Sequence, residues 1–176
     1  MSEGSRQLLT PDRLIRLFEL SADEVELLLL GFLRSHPKLT VSRGGKEISS
    51  RVIEATTYAR VGRPQGGIDV KAIMEGGETW VFQCKRVKSW NRSQTGGAIA
   101  EATFAANHYI LVLTCNPPGE VHEEIAKHAN WSLWNLDTTC AEIRLRTPPE
   151  TLPRILSFLS PDELKRFTPF ASTALV

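Results

Sequence analysis

Two short stretches of the chain, residues 68–74 and 80–85, carry apolar residues at every second position. A repeat of two residues is typical of a β-strand, whose side chains point alternately to the two faces of a sheet. The segment between them, residues 75–78, reads Glu-Gly-Gly-Glu and has the composition of a tight turn. The pattern therefore predicts a β-hairpin. Its apolar face carries Ile68, Val70, Ala72, Met74, Trp80, Phe82 and Cys84.

A helical pattern precedes this hairpin. The sequence Ser21-Ala-Asp-Glu24 has the form of a capping box, and it opens a predicted helix that runs to about Ser35. Another short helix is predicted from Pro11 to Leu20. The apolar face of the longer helix consists of Val25, Leu28, Leu29, Phe32 and Leu33.

Helical and strand patterns alternate after the hairpin. Residues 98–106 and 120–129 predict helices, whereas residues 109–114 and 131–136 predict buried strands. This order indicates parallel strand pairing with right-handed crossover connections. The pattern as a whole favours an α/β fold.

Two regions leave alternatives open. Residues 38–52 can pair as a hairpin across residues 43–46, or residues 50–59 can form a short helix. Residues 140–147 are compatible with a last strand or with a short helix. Residues 60–67 have the composition of a loop.

Length and composition indicate how many domains these elements form and in which environment. The chain has 176 residues, 41% of them hydrophobic, and a formal net charge of +1. We expect one domain over residues 10–147 and a C-terminal helical extension or linker over residues 148–176. No apolar run is long enough to cross a bilayer, and the three cysteines lack the spacing of metal ligands. We therefore expect a cytoplasmic protein without a membrane partner.

The polar face of the hairpin is the strongest candidate for chemistry. Alternation places Asp69 on it in the first strand, and Gln83 and Lys85 in the second. A carboxylate binds hard divalent cations through oxygen, and the amide oxygen of Gln83 or the main-chain carbonyl of Cys84 can lie near the same ion. A metal ion beside a lysine suits phosphodiester hydrolysis, in which charge develops on oxygen. An ordinary half-buried hairpin with a solvated polar face gives the same pattern.

The residues Gly67-Ile68-Asp69, a gap of thirteen residues and then Gln83-Cys84-Lys85-Arg86 resemble a known motif. The pattern is similar to the D…(E/Q)xK core of the restriction-endonuclease-like, or PD-(D/E)xK, nuclease superfamily. The sequence around it is similar to the Mrr-like, type IV restriction endonuclease branch, and also to the N-terminal nuclease domains of many bacterial anti-phage effectors. The resemblance extends more weakly over residues 21–136.

This resemblance implies a restriction-endonuclease-like core, with a mixed sheet of four to five strands flanked by helices. It also implies a Mg²⁺-dependent endonuclease, in which Mn²⁺ can substitute, that cuts double-stranded DNA. The biological setting that it implies is defence against foreign DNA. Such a chain would act as a homo-oligomer or as the effector part of a larger sensor protein.

The resemblance further implies roles for particular residues. Asp69 would be the principal metal ligand, Gln83 would stand where many relatives carry an acid, and Lys85 would orient the attacking water. Glu26, in the helix ahead of the sheet, matches the position of a further acid near the metal. Glu47 and Glu54 remain alternatives for that acid.

Basic residues around the motif are candidates for DNA contact. Arg86, Lys88 and Arg92 follow Lys85 with no acid between them, and Arg63 precedes the motif in the loop. A net charge of only +1 suggests that another domain or subunit helps to hold the substrate.

Two other functions remain open at this point. A catalytically inactive module of the same fold would serve DNA binding or assembly. A nuclease directed at RNA would share the same motif.

Overall fold

A six-stranded mixed sheet forms the centre of the computed structural model, which describes residues 17–58, 66–148, 150–157 and 162. The strands follow one another across the sheet in chain order. They are β1 (Lys38–Arg43), β2 (Lys46–Thr57), β3 (Val70–Met74), β4 (Thr79–Lys85), β5 (His108–Leu113) and β6 (Trp131–Trp134).

Strand direction divides the sheet into two halves. The pairs from β1 to β4 are antiparallel, while β5 pairs with β4 and β6 with β5 in parallel. The predicted hairpin of β3 and β4 is confirmed, and so is the parallel pairing of the last strands. The expected number of strands is wrong, because the sheet has six strands rather than four or five.

The additional strands come from residues 38–57. Residues 43–46 form the turn of a β1–β2 hairpin, so the alternative of a helix at residues 50–59 is wrong. The β2–β3 register shifts between Val52 and Glu54, which places buried Val52 and buried Ala55 three residues apart. Such an irregularity interrupts the repeat of two that identifies a strand in a sequence.

Helices cover both faces of the sheet. They are α1 (Ala22–Leu33), α2 (Arg92–Glu101), α3 (Gly119–Ala126), α4 (Leu136–Arg146) and the short α5 (Leu152–Ile155). The predicted helix after Ser21 is confirmed, and the Ser21 side chain accepts a hydrogen bond from the main-chain N–H of Glu24 at 3.1 Å. Residues 140–147 belong largely to α4, so helix is the correct alternative there.

Two hydrophobic cores lie on opposite faces. On one, the apolar face of α1 packs with residues of β3 and β4, including Val70, Trp80 and Phe82. On the other, Ala98 of α2 and Val121 of α3 pack with apolar residues of β5 and β6. Side chains at alternate positions of β3 and β4 therefore point toward opposite faces of the sheet, one on the side of α1 and the other on the side of α2 and α3.

The bounds of α2 differ from the predicted helix over residues 98–106. Asn91 forms a reciprocal capping box with Gln94, so the helix begins at Arg92 in spite of Gly96 and Gly97. It ends at Glu101 because the chain then turns onto the loop before β3. The main-chain N–H groups of Thr103 and Phe104 both donate to the carbonyl oxygen of Gly66, at 3.0 and 3.2 Å.

Other predictions fall at the ends of the chain. Of the helix predicted from Pro11 to Leu20, residues 11–16 lie outside the described residues, and Leu17–Glu19 form one 3₁₀ turn. Of the C-terminal helical extension or linker expected over residues 148–176, residues 149, 158–161 and 163–176 also lie outside them. None of the described helices combines the length and the apolar character needed to cross a bilayer.

Candidate active site

Asp69 stands immediately before β3, between the buried residues Ile68 and Val70. The main-chain N–H of Cys84 in β4 donates to its Oδ2 at 2.6 Å, which fixes the carboxylate against the neighbouring strand. Burial raises the pKa of Asp69, while the hydrogen bond from Cys84 and the nearby Lys85 ammonium act in the opposite direction. The carboxylate is therefore partly desolvated, and one of its oxygens is held by the main chain.

Glu26 brings a second carboxylate near Asp69. It lies in the first turns of α1, and burial raises its pKa to about 6, with further contributions from the negative charges of Asp69 and Asp23. Neighbouring carboxylates that are both partly desolvated repel each other when both are ionised. A cation between them would relieve this repulsion.

The alternatives for this acid lie elsewhere. Glu47 is exposed near the turn of the β1–β2 hairpin, where it pairs with Ser42. Glu54 is exposed on β2 opposite Ile73, about 13 Å along the strand from Asp69 at about 3.3 Å per residue. The charge of Asp69 raises the pKa of Glu26, so Glu26 is the acid that we place near Asp69.

Gln83 is almost completely buried, with 3% of its surface exposed. Its Nε2 donates to Oε2 of Glu101 at 3.4 Å, but its Oε1 is buried and has no hydrogen-bond partner among the described residues. Buried polar atoms are nearly always paired, so an unpaired amide oxygen calls for a ligand. A bound cation or an ordered water would supply that ligand.

Lys85 is the third residue of the motif, at the end of β4. Its Nζ donates to Oε2 of Glu101 at 3.1 Å, and 30% of its side chain is exposed. The ammonium also lowers the pKa of Asp69. Lys85 thus reaches solvent beside the acids and is held by a residue of α2.

Glu101 is the site residue that the sequence did not single out. It is the last residue of α2 and accepts hydrogen bonds from both Gln83 and Lys85. A signal for it existed in the sequence, because Glu101 is the only acidic residue between Glu78 and Glu120. The predicted helix placed it in an interior turn, which hid its position at the helix end.

Cys84 lies between Gln83 and Lys85 in β4. Burial raises the pKa of Cys84 well above its ordinary value, and the charges of Asp69 and Glu26 raise it further. A thiol in this state is not a nucleophile at neutral pH. The Cys84 side chain packs against the α1 core.

The site offers oxygen donors suited to a small, hard metal ion. Within the described residues, no three His, Cys, Asp or Glu side chains gather into a metal-binding group. Two carboxylates, Asp69 and Glu26, and the buried unpaired oxygen of Gln83 are nevertheless hard oxygen donors of the kind that Mg²⁺ prefers. Because Mg²⁺ keeps several of its waters, so small a set of protein donors fits this ion.

The basic residues behind the motif have protein partners. The Arg86 side chain donates through Nε to the main-chain oxygen of Leu20, just before α1. Arg92 pairs with Glu123 at 3.0 Å and with Glu124 at 3.6 Å on α3. Lys88 is exposed, and Arg63 lies outside the described residues. Contact of any of these residues with DNA stays a prediction.

No protein-family model, curated protein or solved structure matches this chain.

Proposed function

We propose that this chain is a Mg²⁺-dependent endonuclease that hydrolyses phosphodiester bonds of double-stranded DNA. One observation carries the proposal. Glu26 and Asp69, from different elements, lie close enough for the charge of Asp69 to raise the pKa of Glu26, beside the ammonium of Lys85. Two carboxylates and a lysine at the end of a strand pair supply both a cation site and a positive group for a phosphate. This is the combination that the motif resemblance implies.

In this proposal, Asp69 is the principal ligand, and its Cys84 hydrogen bond leaves the other carboxylate oxygen available for the ion. The unpaired Oε1 of Gln83 is the second donor, and Glu26 binds directly or through a water. When bound, Mg²⁺ supplies Lewis acidity at the phosphate. Mn²⁺ can take its place.

Lys85 has two tasks in the proposal. Its ammonium orients the attacking water and offsets the negative charge that develops on the phosphate oxygens. Since Nζ is held by Glu101 at 3.1 Å while part of the side chain is exposed, a phosphate can reach it from solvent. Glu26 must be ionised to serve as a ligand, so metal binding should strengthen as the pH rises above about 6.

The uncharged amide of Gln83 affects the affinity of the site for Mg²⁺. An uncharged ligand leaves the site with one negative charge less than a carboxylate would. We infer weak binding of the ion alone and tighter binding once a DNA phosphate completes its coordination. The restriction-endonuclease-like assignment and a role in defence against foreign DNA, as a homo-oligomer or as part of a larger sensor, belong to this same proposal.

A supercoiled plasmid is the direct test. The wild-type protein should nick or linearise it with Mg²⁺ or Mn²⁺ and not with EDTA. Asp69→Asn and Lys85→Met should each lower the rate by at least about 100-fold, a loss typical of transition-state charge stabilisation. Glu142→Gln, which removes the carboxylate of an ion pair with Arg146 on α4, is the matched control and should cut normally.

The results also separate the proposal from its competitors. Normal cutting by both site variants would show that the site is misassigned. DNA binding without metal-dependent cutting by the wild-type protein would favour the inactive module. That alternative has one observation behind it, since Lys85 already has a carboxylate partner in Glu101. Preferential cutting of single-stranded RNA would redirect the proposal to RNA.

A further inference from the structure

Glu101 joins the two strand residues of the motif through a single oxygen. Its Oε2 accepts from Lys85 Nζ at 3.1 Å and from Gln83 Nε2 at 3.4 Å. Glu101 does this from α2, whereas both of its partners lie on β4. Although 61% of the Glu101 side chain is exposed, the carboxylate rests against two donors of the candidate site.

The hydrogen bond between Gln83 and Glu101 sets the orientation of the Gln83 side-chain amide. A carboxylate accepts hydrogen bonds and cannot donate one, so it attracts the amide nitrogen and repels the amide oxygen. With Nε2 toward Glu101, Oε1 is left on the other side of the amide group. That oxygen is buried and has no hydrogen-bond partner in the described part of the chain, and the residue is 3% exposed. Without Glu101, the amide could rotate by half a turn and present two N–H donors where a cation needs an oxygen.

The main chain of Glu101 is fixed as well. A Cβ added to Gly67 would overlap the carbonyl group of Glu101 and lie 2.7 Å from the nitrogen of Ala102. The loop that leads to Asp69 therefore packs directly on the end of α2. One residue thus links the loop that positions the first ligand with the amide that provides the second.

We propose that Glu101 is a positioning residue, which turns the oxygen of Gln83 toward the metal and holds Lys85 beside it. This inference rests on the proposed function, because it assigns Glu101 a task at the same Mg²⁺ site. It goes beyond the motif, since neither the spacing nor the residue types of the motif include Glu101. Outer partners that orient metal ligands commonly change metal affinity by about 10- to 100-fold when they are removed.

The test compares variants with the wild-type protein by calorimetric Mg²⁺ titration without DNA and by plasmid cutting over a range of Mg²⁺ concentrations. Glu101→Ala should weaken Mg²⁺ binding by about 10-fold, and its cutting should recover as the Mg²⁺ concentration is raised. Glu101→Gln keeps an acceptor oxygen and should retain most of the affinity. Glu142→Ala, on a surface ion pair of α4, should match the wild-type protein in both measurements.

A third measurement does not depend on the ion. In metal-free protein, the side-chain amide protons of Gln83 should exchange with solvent faster in Glu101→Ala than in the wild-type protein, because their acceptor is lost. Equal Mg²⁺ affinity and equal amide exchange in the wild-type and Glu101→Ala proteins would overturn the inference and leave the proposed function intact. A wild-type protein that neither binds Mg²⁺ nor cuts DNA would instead overturn the proposed function, and this inference with it.

Discussion

Gly67 lies against the main chain of Glu101, so that a Cβ on Gly67 would overlap the Glu101 carbonyl group. Gly67 also has a φ of +70°, in the left-handed region that favours glycine. Two independent constraints thus meet at the residue two positions before Asp69. Glycine is needed at this position because the loop and the end of α2 lie too close together to leave room for a side chain.

Replacement of this glycine should be costly. Gly67→Ala should lower the free energy of unfolding by about 3 kcal/mol or more, since it combines backbone strain with a main-chain overlap. Gly77→Ala is the matched control, because Gly77 has a φ of +86° but, apart from its chain neighbours, no described residue has an atom within 4 Å of where its Cβ would be. That variant should lose only about 1 kcal/mol. Urea denaturation of both proteins measures the difference, and equal losses would contradict the close approach.

In the absence of metal, the ionised carboxylate of Glu26 should destabilise the native state at neutral pH relative to a neutral side chain at the same position. Its pKa is raised from 4.5 to about 6 on folding, so the native state holds a proton more tightly than the unfolded state does. Stability from this group is complete below pH 4.5 and is lost as the pH rises through 6. In EDTA, Glu26→Gln should therefore be more stable than the wild-type protein at about pH 7.5, by up to about 1 kcal/mol after allowance for solvent screening.

The difference should disappear below pH 4.5, where Glu26 is protonated in both states. Glu54→Gln, at an exposed glutamate of β2, serves as the control and should show no comparable gain. Chemical denaturation at several pH values measures the effect. A Glu26→Gln variant that is less stable than the wild-type protein near neutral pH would contradict the repulsion between Glu26 and Asp69.

His108 should make the native protein less stable as the pH falls, whereas Glu26 does so as the pH rises. It is fully buried in β5, its Nε2 lies 2.8 Å from the Ser132 hydroxyl, and burial lowers its pKa to about 4. The unfolded chain then binds more protons between pH 6.5 and pH 4, so stability falls as the pH is lowered through this range. The loss should amount to at most about 3 kcal/mol. His108→Gln should flatten the pH dependence of the unfolding midpoint, and an unchanged slope would contradict this assignment.

The ion pair of Arg43 and Glu78 joins β1 to the turn before β4. The two terminal guanidinium nitrogens of Arg43 donate to the two carboxylate oxygens of Glu78 at 2.9 and 2.8 Å, and Trp80 Nε1 donates to Oε2 at 2.8 Å. Hydrogen bonds from Arg43, then from Trp80, lower the pKa of Glu78 to about 2. The stability that this group contributes is present above pH 4.5 and is lost as the pH falls toward 2.

Glu78→Gln should therefore cost about 1 kcal/mol at neutral pH, a value discounted because the pair is partly exposed. The difference from the wild-type protein should shrink below pH 4.5. Thermal unfolding at neutral pH and at about pH 3 tests this, with Glu142→Gln as a surface-pair control. An equal loss at both pH values would indicate that packing, and not charge, is responsible.

Much of the fold could be predicted because local patterns and tertiary burial agree. Strand β5 is a continuous apolar run, and apolar residues of α1 (Val25, Leu28, Leu29, Phe32 and Leu33) repeat with helical spacing, so each element is recognisable alone. The β1–β2 hairpin is different. Its longer strand is exposed at most positions and its register shifts near Val52, so neither alternation nor burial marks it clearly.

The candidate site could be predicted in part for the same reason. Asp69, Gln83 and Lys85 are placed by a hairpin whose pattern is local, and Glu26 by a well-marked helix. Glu101 reaches the site only because α2 ends where Gly66 and Gly67 pack on it. That end is set by a contact between segments far apart in the chain, which no local pattern records.

Anomalous scattering from a Mn²⁺-soaked crystal tests the central claim most directly, because Mn²⁺ can stand in for Mg²⁺ and is visible by its own signal. We predict one strong peak within coordination distance of an Asp69 carboxylate oxygen and of Gln83 Oε1, with Lys85 beside it, and no such peak in crystals of Asp69→Asn. Absence of a peak there at saturating Mn²⁺, or an equally strong peak in the Asp69→Asn crystals, would contradict the assignment of this site to a metal ion.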